Sequence, residues 1–246
     1  MFESLHRIAL TGMNYGGGTD FQTSGEREAL QHVKTALLAK SSKPYTLFDV
    51  GANEGGYTRL LLEVFGSDAI VYSFEPLPST FEILCREIGC KAKLQRFALG
   101  DRNGKLPLYS CSQYSGLASL YNRDLKHFGM TLDQSEEVSV LMIDEFCRME
   151  RLQRIHFLKL DVEGHELKVL HGAHELLERG GIDFIQFEFG GCNIDSRTYL
   201  HDFFELLTPR YRIYRIVTDG LRPVTAYREI AEIFTTTNYM CELVGY

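Results

Sequence analysis

Leu47-Phe48-Asp49-Val50-Gly51-Ala52-Asn53-Glu54-Gly55-Gly56-Tyr57-Thr58 is the stretch that decides the fold. An apolar run enters a glycine-rich turn, and beyond Gly56 the apolar residues return at helical spacing. A second apolar run, 69–74, then ends at Glu75. Strand, tight turn, helix and second strand make the repeating unit of an open α/β sheet, whose ligands sit beyond the carboxyl ends of the strands. The turn glycines let backbone approach a ligand, and the helix N-terminus supplies free N–H groups. Glu75 follows Gly51 at close to the spacing of about 20 residues expected of an acid that takes both hydroxyls of a ribose.

The glycine spacing separates two cofactor classes. A dinucleotide turn, G-x-G-x-x-G, needs glycine at its second position so that a pyrophosphate can press on the backbone. Asn53 stands there. Its amide crowds a diphosphate but can hydrogen-bond an amino-acid carboxylate or amine. The pattern therefore fits S-adenosylmethionine, which has a ribose and no phosphate, better than NAD. A tight turn with no ligand is the plain alternative, because a glycine-rich loop alone has low specificity.

Outward from this unit the alternation continues. Ala29, Leu30, Val33, Ala36 and Leu37 keep helical spacing and predict a helix over 26–38. Strands are expected over 45–50, 69–74, 93–98, 155–160, 182–187 and 211–217. Helices are expected over 57–65, 79–88, onward from Ile143, from Leu167 to the Gly180-Gly181 pair, and over 196–207. Shorter strands are expected at 105–109, where Pro107 suits an edge, at 137–142, and near 232–234. Residues 11–25 read as a mobile loop, with Gly16-Gly17-Gly18 fitting either a linker or a loop that orders on binding. Residues 110–134 read as an irregular loop near the cofactor mouth. The expected fold is α/β, a doubly wound, mostly parallel sheet with helices on both faces. Residues 1–25 form an N-terminal segment and flexible loop, and 26–246 a single domain.

Composition narrows the function classes. The 246 residues are 44% hydrophobic and 24% charged, ordinary for a globular chain, and the net charge is −7. That balance argues against general nucleic-acid binding, which needs clustered Lys and Arg. Arg210, Arg212, Arg215 and Arg222 read as a solvated strand face instead. The six cysteines show no C-x-x-C pair and no zinc spacing. They are expected to be reduced thiols. The first residues lack a basic-then-apolar signal pattern, and no apolar run approaches spanning length, so a cytoplasmic location is expected.

Four strand tips carry acids: Asp49, Glu75, Asp161 and Glu188. Asp161-Val162-Glu163-Gly164-His165-Glu166 is the densest cluster. Asp161 is placed to orient or deprotonate an acceptor, and Glu163 and His165 are rivals for the base role. The plain reading is that Asp161 caps the following helix and Glu166 pairs with a lysine. Asp161, Glu163, His165 and Glu188 are also suitable ligands for a divalent ion. Nothing in the sequence fixes their mutual distance, and no metal is assigned. His171 and His174 read as a surface pair.

With Asp49-Val50-Gly51-Ala52-Asn53, Phe74-Glu75-Pro76 and Leu158-Lys159-Leu160-Asp161-Val162-Glu163-Gly164-His165-Glu166, the sequence resembles the FkbM-like S-adenosylmethionine-dependent methyltransferases. Ser24-Gly25-Glu26, Ala98-Leu99-Gly100-Asp101, Ala118-Ser119-Leu120 and Gly172-Ala173 match as well, so the likeness runs over about 24–240. The resemblance implies a Rossmann-like class I methyltransferase fold and O-methylation, commonly of a hydroxyl on a saccharide or glycosylated metabolite. It implies that Gly51, Asn53 and Tyr57 lie along the methionine moiety, with Asp49 in the same strand tip. Glu75 would then bind the ribose, Ala98 and Asp101 border the adenine, and Asp161 face the transferred methyl. The partner is a small-molecule or glycan acceptor, and the oligomeric state is not readable. An NAD-type oxidoreductase and a non-catalytic cofactor-binding module are the competing readings. Asn53 weighs against the first and the four acidic strand tips against the second.

Overall fold

The computed structural model describes residues 1–16, 23–111 and 114–245. Helix α1 (Phe2–Gly12) precedes α2 (Glu26–Lys40), and the sheet begins with β1 (Tyr45–Val50), α3 (Gly56–Phe65), β2 (Ala69–Phe74), α4 (Pro78–Ile88) and β3 (Lys93–Gln95). The chain then leaves the main sheet for β4 (Ala98–Leu99), β5 (Gly104–Cys111), β6 (Tyr114–Ser119) and β7 (Gln134–Leu141). It returns through α5 (Ile143–Met149), β8 (Ile155–Leu160), α6 (Glu166–His171), α7 (His174–Glu178) and β9 (Ile182–Phe189). Helices α8 (Cys192–Ser196) and α9 (Leu200–Leu207) lead into β10 (Tyr211–Val217), β11 (Gly220–Val224) and β12 (Thr237–Leu243).

The main sheet has the order β11-β10-β12-β9-β8-β1-β2-β3. Its β3-β2-β1-β8-β9 half is parallel, and β12, β10 and β11 are joined antiparallel. The order reverses between β1 and β8, and that is where a doubly wound sheet opens a crevice for a ligand. Period-two alternation sends successive side chains to opposite faces. Phe48 and Val50 therefore enter one core with Leu158, Leu160, Phe187 and Phe203, while Tyr45 and Leu47 enter another with Phe157, Phe184 and the inner faces of α2 and α3. Strands buried on both faces read as unbroken apolar runs, which is why β1, β2 and β8 match the expected bounds.

A second sheet, β4-β7-β5-β6, was not foreseen. The expected strand 93–98 divides between the two sheets at Arg96-Phe97, and part of the expected loop 110–134 forms β6 and pairs with β5. Pro107 lies in an inner strand of this sheet, but β6 reaches only Tyr109 and Cys111, so at Pro107 the pairing is to Glu137 of β7 alone. The helix expected from Leu167 breaks at Gly172, where a Cβ would lie 1.9 Å from the Gly100 carbonyl oxygen. The helix expected over 196–207 divides into α8 and α9, and the strand expected near 232–234 is replaced by β12.

The N-terminal region also differs from expectation. Residues 2–12 are helical, Asn14 donates to the carbonyls of Ser24 and Ile216, and Tyr15 is buried under Arg215. Residues 17–22 of the expected mobile loop, and 112–113 of the later one, lie outside the described residues. Arg210, Arg212 and Arg222 are exposed as expected, whereas Arg215 is half-buried. His171 and His174 are both exposed. All six cysteines are free thiols. No helix among the described residues is long and apolar enough to cross a membrane.

Candidate active site

The parallel register aligns residues across the centre of the sheet into rows. Ser73, Asp49, Lys159 and Gln186 are successive neighbours across β2, β1, β8 and β9. Two residues further along each strand stand Glu75, Gly51, Asp161 and Glu188. The side chains of both rows belong to the face covered by α2 and α3. Glu75, Gly51 and Asp161 of the tip row line a cleft together with Asn53, Ala98, Glu163 and His165, with Phe74, Phe97 and Leu108 as apolar walls.

Gly51 makes the rows converge. Its φ is +84°, and a Cβ there would lie 1.8 Å from the Asp161 carbonyl oxygen. Only glycine tolerates both the left-handed backbone and that approach. The Gly51 and Ala52 N–H groups donate to the Phe74 carbonyl, and the Asp161 N–H donates to that of Val50, which locks the tips of β1, β2 and β8 together. Asn53, with φ +47°, directs its backbone N–H onto Glu75 Oε2 at 3.0 Å. Leu77 N–H donates to Glu75 Oε1 at 2.8 Å. Burial pushes the Glu75 carboxyl up to about 7 against those two donors. Each oxygen keeps a lone pair for a further donor.

The loop after β8 is shaped by acids rather than glycines alone. Buried Glu166 Oε1 accepts from the Val162 and Gly164 N–H groups at 2.9 and 3.2 Å. Its partner is therefore backbone, not the lysine of the plain reading. Glu163 takes φ +54° and pairs with Arg123, whose side chain is 6% exposed and whose Nε also lies 3.5 Å from Asp195. Burial raises the Glu163 carboxyl, Arg123 opposes, and Asp161 and Glu166 add to the rise. His165 Nδ1 lies 3.1 Å from the Tyr121 hydroxyl, and burial pushes the ring down to about 4, so it is neutral near pH 7. Its Nε2 is buried with no hydrogen-bond partner.

Asp161 is the most elaborately held acid. Lys159 Nζ lies 3.0 Å from Asp161 Oδ2, and the two side chains are 2% and 37% exposed. Burial pushes Asp161 up, but the Lys159 charge and a hydrogen bond with Glu188 outweigh it and hold the carboxyl below its usual range.

Three residues expected at the cofactor do not line the cleft. Asp49 is buried one row below it, where Thr58 donates to Oδ2 at 2.6 Å, and burial pushes its carboxyl up to about 6. Tyr57 turns into the core, donates to Gln186 at 2.7 Å and lies under Lys159. Asp101 turns outward to Lys168 at 2.9 Å. Gly51, Asn53, Glu75, Ala98, Asp161, Glu163 and His165 do come together. Asp161, Glu163, His165 and Glu188 do not converge as a metal group. Among the described residues the group close enough to share an ion is His201, Asp202 and Glu205, which is largely exposed and not part of the cleft. Lys159, Arg123, Tyr121 and Gln186 were missed. Lys159 had a signal, a lysine in the middle of an apolar strand two residues before Asp161. The others had none.

Residues 49–216 match the Methyltransferase FkbM domain family. The chain belongs to this family. The match runs from the acid of β1 through the glycine turn and the Asp161 loop to β10. Methyltransferase 1 of Beauveria bassiana is 27% identical over 146 residues, 52% of this chain and 58% of that one. The hexuronic acid methyltransferase AglP of Haloferax volcanii is 27% identical over 166 residues, 65% of this chain and 63% of that one. The aligned regions thus span less than two thirds of either relative. Among solved structures, the methyltransferase FkbM of Methylobacillus flagellatus is 20% identical with a TM-score of 0.49, and the match covers 84% of this chain and 46% of that one.

Proposed function

We propose that the protein is an S-adenosylmethionine-dependent O-methyltransferase acting on a hydroxyl of a saccharide or glycosylated metabolite. The observation that carries the reading is that Glu75, fixed by two backbone N–H groups, shares one cleft with Asp161. The Gly51 turn, which a Cβ would fill, and the unphosphate-like Asn53 fit the donor. Family membership supports methyl transfer over the oxidoreductase reading. The named sugar-acid substrate of the archaeal relative supports a saccharide acceptor.

In this reading Glu75 accepts the ribose hydroxyls, Phe74, Phe97 and Ala98 supply apolar surface for the base, and Gly51 and Asn53 border the amino-acid end. When bound, S-adenosylmethionine supplies a methyl group from its sulfonium to an acceptor oxygen and leaves as a neutral thioether. The chain aligns the acceptor, which can remove several kcal/mol of barrier, and takes up the hydroxyl proton. His165 is held at Nδ1 by the Tyr121 hydroxyl, and Glu163 is engaged by Arg123. Asp161 lines the cleft with its side chain 37% exposed, and we take it as the acceptor of that proton.

The test is calorimetric binding of S-adenosylhomocysteine followed by transfer of radiolabelled methyl to a panel of glycans. Saturable binding and labelling of a glycan hydroxyl are expected. Failure to bind the nucleoside removes the reading altogether, and binding with labelling of no glycan removes the saccharide acceptor.

A further inference from the structure

Below the cleft lies a polar layer that an apolar core would have made cheaper to bury. Lys159 sits in the middle strand with its ammonium 4.9 Å from the centre of the Tyr57 ring. Tyr57 donates to Gln186 Oε1, Gln186 Nε2 donates to Glu26 Oε1 at 2.7 Å, and Ser24 donates to Glu26 Oε2 at 2.8 Å. Beside them Thr58 bridges Asp49 and Ser73 at 2.6 and 2.8 Å. The layer thus runs from the N-terminus of α2 to the tip of β8. Buried charges are kept only where they are paired.

Its charge balance is what matters. The groups facing Asp161 are Lys159 on its own strand, Glu26 from α2, Asp49 from β1, Tyr57 from α3, Glu188 from β9, and Glu163 and Glu166 from its own loop. Glu163 has Arg123, and Glu166 has backbone donors. Glu26, Asp49, Asp161 and Glu188 are left with one ammonium, that of Lys159. Four carboxylates around one buried cation do not all ionise, because like charges at this range in a poorly solvated site cost too much. Asp161 and Glu188 each stand two residues beyond the paired Lys159 and Gln186, so the two carboxyls are neighbours across β8 and β9, and like charges so placed favour a proton held between them. Lys159 touches Asp161, which fixes the proton on Glu188.

We infer that Lys159 and Glu188 are positioning residues that keep Asp161 ionised, with the shared proton resting on Glu188, so that Asp161 receives the proton of the acceptor hydroxyl. The inference rests on the methyl-transfer reading and adds the state of the groups behind it. The O–H bond of the acceptor breaks, its electron pair stays on the oxygen that gains the methyl, and the proton passes to Asp161. Lys159 and Glu188 keep their protons throughout. The open part of Asp161, 37% of the side chain, returns the proton to water between turnovers. A weakly basic carboxylate suffices, because the hydroxyl becomes strongly acidic as the methyl arrives. Burial, Asp161 and Glu163 all push the Glu188 carboxyl up, consistent with a retained proton.

The test is carbon-detected NMR titration of side-chain carboxyls in the full chain saturated with S-adenosylhomocysteine, alongside the pH profile of kcat. In the wild type, Glu188 is expected to stay protonated at pH 7 while Asp161 ionises below the usual carboxylate range. Lys159→Met is expected to move the Asp161 midpoint up by about 2 pH units, with the acid limb of kcat following it. Glu188→Gln still donates an N–H to Asp161 and is expected to keep the low midpoint, whereas Glu188→Ala raises it. A Glu188 carboxylate at pH 7 in the wild type overturns the inference without any variant, even if Lys159→Met does not fold. So does an Asp161 midpoint that Lys159→Met leaves in place. The expected titrations together with no methyl transfer to any acceptor overturn the proton-acceptor role and the methyl-transfer reading, while the charge assignment stands.

Discussion

The two sides of the cleft are built on opposite plans. On the β1–β2 side the carboxylate of Glu75 is fixed by backbone N–H groups from Asn53 and Leu77, two residues close to it in sequence or in the turn beside it. On the β8–β9 side Asp161, Glu163 and His165 are fixed by side chains: Lys159 and Glu188, Arg123, and Tyr121. Backbone donors are the same whatever the sequence, so the first side suits a ligand that is always the same. Side-chain partners can be exchanged one at a time, and they set the charge of each acid. That suits the side where the chemistry and the variable acceptor belong.

Gly51 is the joint between the two sides, and breaking it removes the comparison at once. Gly51→Ala sets a Cβ against the Asp161 carbonyl in a left-handed backbone, and a loss of about 4 kcal/mol or more of stability is expected by chemical denaturation. An unchanged midpoint contradicts that close approach. Asp161→Asn tests the β8 side alone. Turnover should fall by about 10²–10⁴-fold while the calorimetric Kd for S-adenosylhomocysteine changes little. Equal losses of binding and turnover would erase the division between the sides.

Glu75→Ala tests the other side. It removes two charge-assisted acceptors and orphans two N–H groups, so a rise in Kd of about 10²-fold is expected. A subtler probe uses protons. The Glu75 carboxyl is pushed up to about 7 in the free protein, and ribose hydroxyls donate to its ionised form. Binding should therefore release protons below pH 7, and affinity should weaken as pH falls through that value. Calorimetry at pH 6 in two buffers of different ionisation enthalpy reads the release, and Glu75→Gln should abolish it. The same raised carboxyl costs the unliganded fold stability as pH rises from its ordinary range near 4.5 through about 7.

The smallest effect is expected at Tyr121. Tyr121→Phe removes one hydrogen bond to a neutral imidazole, at a cost of about 1 kcal/mol in denaturation experiments. His165, pushed down to about 4, destabilises the fold as pH falls from 6.5 through that value, since the unfolded chain takes the proton first. His165→Asn should flatten that arm of the stability profile, and an unaltered arm would show that His165 is protonated in the fold.

The strands β1, β2 and β8 were legible from the sequence because they are largely buried on both faces and need no partner to be recognised, and β10 because apolar residues alternate with its exposed face. The second sheet was not. Its strands carry polar and small residues, such as Gly104, Lys105 and Glu137, and their pairing rests on contacts across the chain. Glu75 and Asp161 were legible because their place at strand tips is a matter of local spacing. Asp49, Tyr57 and Asp101 belong to the same local pattern and still miss the cleft. Asp49 lies one residue pair too deep, Tyr57 turns to Gln186 of a distant strand, and Asp101 is drawn outward by Lys168. Arg123 and Tyr121 gave no sign, since nothing near them in sequence indicates that they meet Glu163 and His165.

The sequence by itself determined the alternation of strands and helices, the crevice at the Gly51 turn and the two acids that flank it, because hydrophobic period and glycine placement act over a few residues. Only the tertiary structure decided the charge of those acids. That charge depends on which groups from α2, β1, β8 and β9 are stacked in one buried layer, and parallel register, not chain distance, puts Lys159 between Asp49 and Gln186.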